Sequence, residues 1–404
     1  VDAAVTAIVG APHASASATP VAPPPLPEAV ARSLRAVGDT TALRVFPRAV
    51  LAVLGQLGVL RRRWSGGVAG DVRYGTDLAE EAARQAFGGV AVGISVHTEP
   101  VLAMLHRFGG ESAYLTDLRE RALAGEAIGC VAASEPAHGS DLSSVTCLAV
   151  PMAGGWRITG EKKYVSLGAA ADFVIVLCRV ADDTGEATPR LAVVVVPREQ
   201  VELVRVHDKV GAPALDTVAL SLRDVLVPRQ AMLGRPGLGL AVLSYGLSFE
   251  RLAVAAGVTG ACELSLSLAV EHSERRTQFG RPLRAHQYLE FRMAELWAEL
   301  EVLRAAVHEL AGQLTEQPLD RLMTARIAAV KRHAAKLGER LVSECLQIFG
   351  GAGYLPAETP LGQFWRDIRL ARIGGGTDEM MLALAAGELR GDPEAYDRHV
   401  RISP

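Results

Sequence analysis

The feature that most constrains the fold is a double change of hydrophobic period along one chain. From about residue 27 to 125 the apolar residues recur at helical spacing, as in DLAEEAARQAFGGVAVGISVHTEP, with glycines at element ends. From about 127 the runs become short and β-branched (WRITGEKKYVS, DFVIVLCRV, RLAVVVVPRE, TVALSLRDVLVP), bounded by Gly, Pro or Asp. After GRPGLGL the helical period returns in three long stretches and lasts to about residue 393. Helices, then strands, then helices is not the alternation of a doubly wound sheet. Neither a GxGxxG after a strand nor a GxxxxGK[ST] is present, and no internal repeat appears.

The order predicts an α+β protein in three parts. An all-α domain covers 27–126, an antiparallel β-sandwich or barrel 127–236, and a four-helix bundle 237–404. Residues 1–26, rich in Ala, Ser and Pro, are expected to form a disordered or loosely tethered head; they lack the basic start of a secretory signal. With 404 residues, 49% apolar and 22% charged, the chain has the balance of a soluble globular protein. A net charge of −3 and 5% aromatics speak against a nucleic-acid partner or an acidic membrane surface. The five cysteines are odd in number and form no CxxC pair, so reduced thiols in a cytoplasmic setting are expected, with no metal site. No apolar stretch is read as long enough for membrane insertion.

Five stretches carry polar groups where chemistry could be done. In CVAASEPAHGSD, Ser134, Ser140 and the amides near Gly139 can donate to a planar polar ring or a phosphate; an ordinary turn explains the same residues. In GEKKYVS, Tyr164 and Ser166 fall on one strand face, as wall and hydrogen bond for a flat ligand or as a half-exposed surface. In ERRTQFGRPLRAHQ, Arg276, Arg281 and Arg284 offer forks to a pyrophosphate or complement a helix C-terminus. LQIFGGAGY has three glycines where a helix cap needs one. Finally, ARIGGGTDEMM places three consecutive glycines before an apolar run.

Together and in this order these motifs resemble the acyl-CoA dehydrogenase family of flavoproteins over residues 45–390. TEPxAGSD is matched by Ser134 to Asp141, RxQFG by Arg276 to Gly280 with Gln287 following, QxxGGxGY by Gln347 to Tyr354, and RDxR by Arg366 to Arg369. The resemblance implies FAD, with Ser134, Gly139 and Ser140 at the ring and pyrophosphate. Tyr164 and Ser166 would flank the flavin, with Tyr164 in place of the commoner Trp; His138 takes a usually small position. Arg276, Phe279, Gln287, Gln347, Gly350 and Gly351 would hold the adenine-pyrophosphate end, largely across a subunit interface, and Thr377 and Glu379 would also touch FAD.

In many members the catalytic base is the Glu of a YEGT sequence, and that position is Gly375 here. Members resembling the long-chain and isovaleryl enzymes take the base from the start of the last helical region, just before an Arg. That place holds Glu250, followed by Arg251, so Glu250 is expected to be the base, Arg251 to contact substrate, and the Gly375 amide to polarise the thioester carbonyl. The implied activity is desaturation of an acyl thioester of coenzyme A or an acyl carrier protein. An electron-transfer flavoprotein would be the acceptor and a homotetramer, at least a dimer, the assembly. A flavin-dependent oxygenase or a non-catalytic flavin- or acyl-binding scaffold are the alternatives on the same fold.

Overall fold

The computed structural model describes residues 22–402, apart from 39, 41, 42 and 87. Most of the expected head therefore lies outside the described residues. Seven helices come first: α1 Leu26–Arg35, α2 Ala49–Gln56, α3 Val59–Arg63, α4 Val72–Gln85, α5 Val90–Val96, α6 Leu102–Phe108 and α7 Ala113–Leu123. A π-turn around Pro100 joins α5 to α6, because proline cannot donate the i→i−4 bond. Asp71 and Ser112 cap α4 and α7, accepting from the Tyr74 and Leu115 amides.

Eight strands follow: β1 Gly129–Ala132, β2 Leu148–Met152, β3 Gly155–Ser166, β4 Phe173–Ala181, β5 Ala187–Pro197, β6 Glu202–Val206, β7 Thr217–Pro228 and β8 Met232–Leu233. They form one sheet in the order β6-β7-β3-β2-β4-β5-β8, with β1 also on β4. The sheet is mainly antiparallel, as expected, but β1 and β2 both run parallel to β4. They lie one after the other along the same edge of β4, at 173–176 and 179–180, so they share its direction. The chain between them, 133–147, leaves that edge and carries the SEPAHGSD motif. β4 is buried at nearly every position and β5 along its second half, since both faces of the sheet are covered there.

The C-terminal part contains α8 Gly239–Arg275, α9 Gln287–Glu316, α10 Arg321–Phe349, α11 Gly351–Tyr354, α12 Leu361–Ile368, α13 Asp378–Ala386 and α14 Pro393–His399. Helices α8, α9, α10 and α13 make the bundle. α8 is apolar on all sides because it is packed on by α4, α6, α9 and α10. Contrary to the sequence reading, it contains a window long and apolar enough to cross a membrane, but 56% of that window is buried inside the protein. All five cysteines are buried and free.

Two glycines on α8 have different reasons to be there. A Cβ on Gly260 would stand 2.1 Å from the Glu80 carbonyl oxygen of α4, so the helices meet backbone to backbone at that point. A Cβ on Gly257 would find its nearest neighbours, the Ala79 oxygen and Ala83 Cβ, at 3.8 Å, an ordinary contact. Gly260→Ala should therefore destabilise by about 1–3 kcal/mol through overpacking. Gly257→Ala should be neutral or stabilising by about 0.5–1 kcal/mol, since glycine weakens a helix interior. Thermal melts of the two variants check this, and equal melting temperatures would contradict it.

Candidate active site

Between Arg372 and α13 the chain turns through the three glycines. Gly375 and Gly376 have φ of 67° and 110°, left-handed values that side chains resist. Two cations fasten the turn from behind. Arg251 Nε donates to the Gly375 carbonyl at 2.8 Å, and Lys331 Nζ to the Gly376 carbonyl at 2.6 Å. Thr377 then caps α13, accepting from the Met380 amide.

Glu250 reaches this turn from α8. A Cβ built on Gly375 would lie 3.5 Å from Glu250 Oε1 and 3.7 Å from its carboxyl carbon. The carboxylate thus occupies the space next to the side chain that the turn lacks. Burial raises the Glu250 pKa above the usual carboxylate range, while Arg251 and Lys331 pull it back down. Burial likewise lowers the Lys331 pKa, to about 8, against the raising effect of Asp378 and Glu250. Arg251 is buried and fixed on the turn, and its Nη1 has no hydrogen-bond partner.

In front of Glu250 lies a cavity of about 150 Å³. It is lined by Ala79 and Ala83 of α4 and Ala253 and Gly257 of α8, and also by Glu250, Ser166 and Gly374. The walls are mostly apolar, with small residues from α4 and α8, and suit a slender apolar group. Arg251 does not line it.

The residues expected around a flavin fall into two groups. The first surrounds Ser166. Between Lys162 and Val165 the β3–β7 ladder slips, and Tyr164 takes a φ of 61°, leaving it 61% exposed while Val165 is buried. Its ring faces His207 at 5.6 Å. Ser134 is half-buried, with its carbonyl accepting from the Lys163 amide at 2.9 Å; Gly139 and Ser140 are exposed on the loop beyond. That loop is shaped by Glu135, whose buried carboxylate accepts from the Thr146 and Cys147 amides and pairs with Lys162 at 2.8 Å. Hydrogen bonding to Lys162 and those amides holds the Glu135 carboxyl low against the raising effect of burial. Thr377 and Glu379, half-buried and exposed, lie just past the glycine turn.

The second group gathers at the far end of the bundle. Arg276 follows the last turn of α8, Gln287 opens α9, and Gln347, Gly350 and Gly351 close α10, where Phe349 stacks on His272 at 4.1 Å. Between α8 and α9 a small hairpin pairs Thr277–Gln278 with Arg281–Pro282. Phe279 and Gly280 form its turn at φ 52° and 76°, the mirror-image turn that hairpins favour. Phe279 is held 93% exposed at the tip. Arg281 contacts His286 at 3.3 Å and Arg284 pairs with Glu274. Nothing stands within 4 Å of a Cβ built on Gly139, Gly350 or Gly351, so backbone is open to a ligand in both groups. Open amides, presented aromatics and arginines fit a flat, anionic dinucleotide.

Reading from the sequence assigned no role to Glu135, Lys162, Lys331 or Asp367. Asp367 accepts from the Gly88 amide at 3.0 Å and from the Ala212 amide, joining all three parts of the chain beside the cavity. Its membership of the RDxR motif was the available signal.

Comparison with known proteins agrees with this geometry. Residues 130–225 match the acyl-CoA dehydrogenase middle domain and 237–389 the acyl-CoA dehydrogenase C-terminal domain. The acyl-[acyl-carrier-protein] dehydrogenase MbtN of Mycolicibacterium paratuberculosis is 41% identical over 89% of this chain and 90% of its own. The mitochondrial isovaleryl-CoA dehydrogenase of Oryza sativa subsp. japonica is 30% identical over 77% of this chain and 75% of its own. Among solved structures, butyryl-CoA dehydrogenase from Megasphaera elsdenii superposes with a TM-score of 0.81 at 27% identity, covering 90% of this chain and 94% of that one. The chain therefore belongs to the acyl-CoA dehydrogenase family.

Proposed function

We propose that this chain is an FAD-dependent dehydrogenase that desaturates an acyl thioester, with Glu250 as the base. The observation that carries the reading is the Glu250 carboxylate beside the empty side-chain position of Gly375, lining an apolar cavity that Ser166 also lines. An acyl chain in the cavity brings its α-carbon to Glu250. The α-proton passes to the carboxylate as the carbonyl takes up charge, and the Gly375 amide is the donor for that oxygen. FAD, when bound, would supply the acceptor for the β-hydrogen as hydride. Ser134, Ser140, Tyr164 and Ser166 would hold its ring side.

The likeness to MbtN, named for an acyl-carrier-protein substrate, favours a carrier-bound thioester over a coenzyme A ester. An electron-transfer flavoprotein is the proposed acceptor, and the cytoplasm the proposed location. A homo-oligomer, at least a dimer, is proposed on distance. Arg276 lies some 26 residues beyond Glu250 along α8, roughly 39 Å by helical rise. One cofactor cannot lie against both in the same chain, so the second group would serve a neighbouring copy. Exposed aromatics on the bundle, Tyr288, Phe291 and Trp297, suit a covered surface.

Two measurements test the base. Glu250→Gln should retain FAD yet slow anaerobic flavin bleaching by an acyl thioester by ~10³-fold or more; near-parental bleaching would remove Glu250 from the role. Gly375→Glu would set a second carboxylate beside the first. Like charges disfavour ionisation, so the apparent pKa of the pair rises. The acid side of the rate–pH profile should then move to higher pH, with more activity lost at pH 6 than at pH 8. An unmoved profile would show that the two positions do not share a site.

A further inference from the structure

Lys331 is fully buried on α10, and the chemistry described so far gives it no part. A lysine withdrawn from water is costly unless its charge is compensated, and an apolar side chain of the same length would fill the space more cheaply. Its surroundings show what the charge faces. Glu250 and Arg251 approach from α8 and Asp378 from α13. The Asp378 carboxylate is already engaged by Arg372 at 2.7 Å, and Arg372 by Glu339 of α10 at 2.6 Å. Asp378 is thus shared between cations. Glu250 forms no such ion pair among the described residues, and Arg251 and Lys331 are the two cations that act on it.

The ammonium group is attached to the turn itself. It fixes the Gly376 carbonyl at 2.6 Å, one residue after the carbonyl that Arg251 fixes. It also acts on Glu250 in the direction that favours the charged carboxylate, against the effect of burial. A base in an apolar cavity needs such help to be ionised at neutral pH. We propose that Lys331 is a positioning residue for proton abstraction, pinning the glycine turn against which the Glu250 carboxylate lies and setting a second buried positive charge, beside that of Arg251, behind it. This rests on the reading of Glu250 as the base.

The test is the pH dependence of anaerobic flavin reduction in the FAD-loaded protein, with octanoyl-CoA and octanoyl-carrier protein as probes. The variants are Lys331→Met, Lys331→Gln and Lys331→Arg, beside Glu250→Gln. Removing a cation beside a carboxylate raises its pKa. In the Met and Gln variants the acid-side midpoint should therefore move up by about one pH unit, with the rate recovering towards the parental value above it. Lys331→Arg, which keeps the charge, should keep the parental midpoint. Rates lowered equally at every pH with an unmoved midpoint would overturn the proposal. So would an Arg variant that behaves like the Met variant, or failure of both neutral variants to retain FAD, which would mark the lysine as a folding determinant. The Glu250→Gln arm separates the two claims. Fast reduction there removes the base and with it the lysine's partner, whereas slow reduction with unshifted Lys331 variants removes the lysine alone.

Discussion

The site depends on two cations that hold two successive carbonyls of a left-handed turn. Arg251 and Lys331 come from different helices of the bundle and meet at Gly375 and Gly376. Left-handed backbone at adjacent residues is unfavourable for side chains, and it persists where the surroundings over-determine it. Here they do, with a charge-assisted hydrogen bond at each carbonyl and a threonine cap immediately after. A turn held this firmly gives its amides a fixed direction. It also leaves a side-chain-free surface against which a carboxylate from α8 can lie. Placing the acid on a long buried helix rather than on the turn puts it on a more rigid support.

Around this point the three parts of the chain are joined by polar contacts that only work when buried. Asp367 takes the Gly88 amide from the N-terminal helices and the Ala212 amide from the β region. Burial raises its pKa, and those amides with Gln363 oppose the rise. Gly260 lets α4 and α8 touch backbone to backbone, which sets the width of the passage a turn away, where Gly257 leaves it open. Glu135 and Lys162 fix the 133–147 loop in a comparable way, a buried ion pair whose carboxylate also holds the Thr146 and Cys147 amides. An unpaired member of either set would be strongly destabilising, so each set acts as a unit.

How much of this was legible in the sequence differs by the kind of interaction. The order of helices, strands and helices was legible because hydrophobic period is a local property. Glu250 and Gly375 were legible as a pair only through resemblance, because the 124 residues between them hide their adjacency. The two parallel pairings on β4 were not visible, since alternation along a strand reports burial and not the direction of a neighbour. Tyr164 and Phe279 were expected at the cofactor, yet their positive φ was not, since no sequence signal short of glycine or asparagine announces it. Lys331 was the least visible. In ARIAAVKRHAAKLGERL it looks like one more solvated cation on a helix, and only the packing of α8 and α13 against α10 turns that position inward.

SEPAHGSD, RTQFG and QIFGGAGY follow one another in the chain, but folding keeps the first apart from the other two. The first stays with Ser166 and Glu250, and the other two end up together because the C-terminus of α8, the N-terminus of α9 and the C-terminus of α10 converge there. That two motifs meet between copies and not within one was implied only by the resemblance, not by the residues themselves. On the proposed reading each chain carries the ring half of its own cofactor site and the adenine half of a neighbour's. Phe279 then has a reason to stand in water at a hairpin tip, since its partner surface belongs to the second copy. An aromatic kept at positive φ and 93% exposed in the single chain is otherwise a cost with no return.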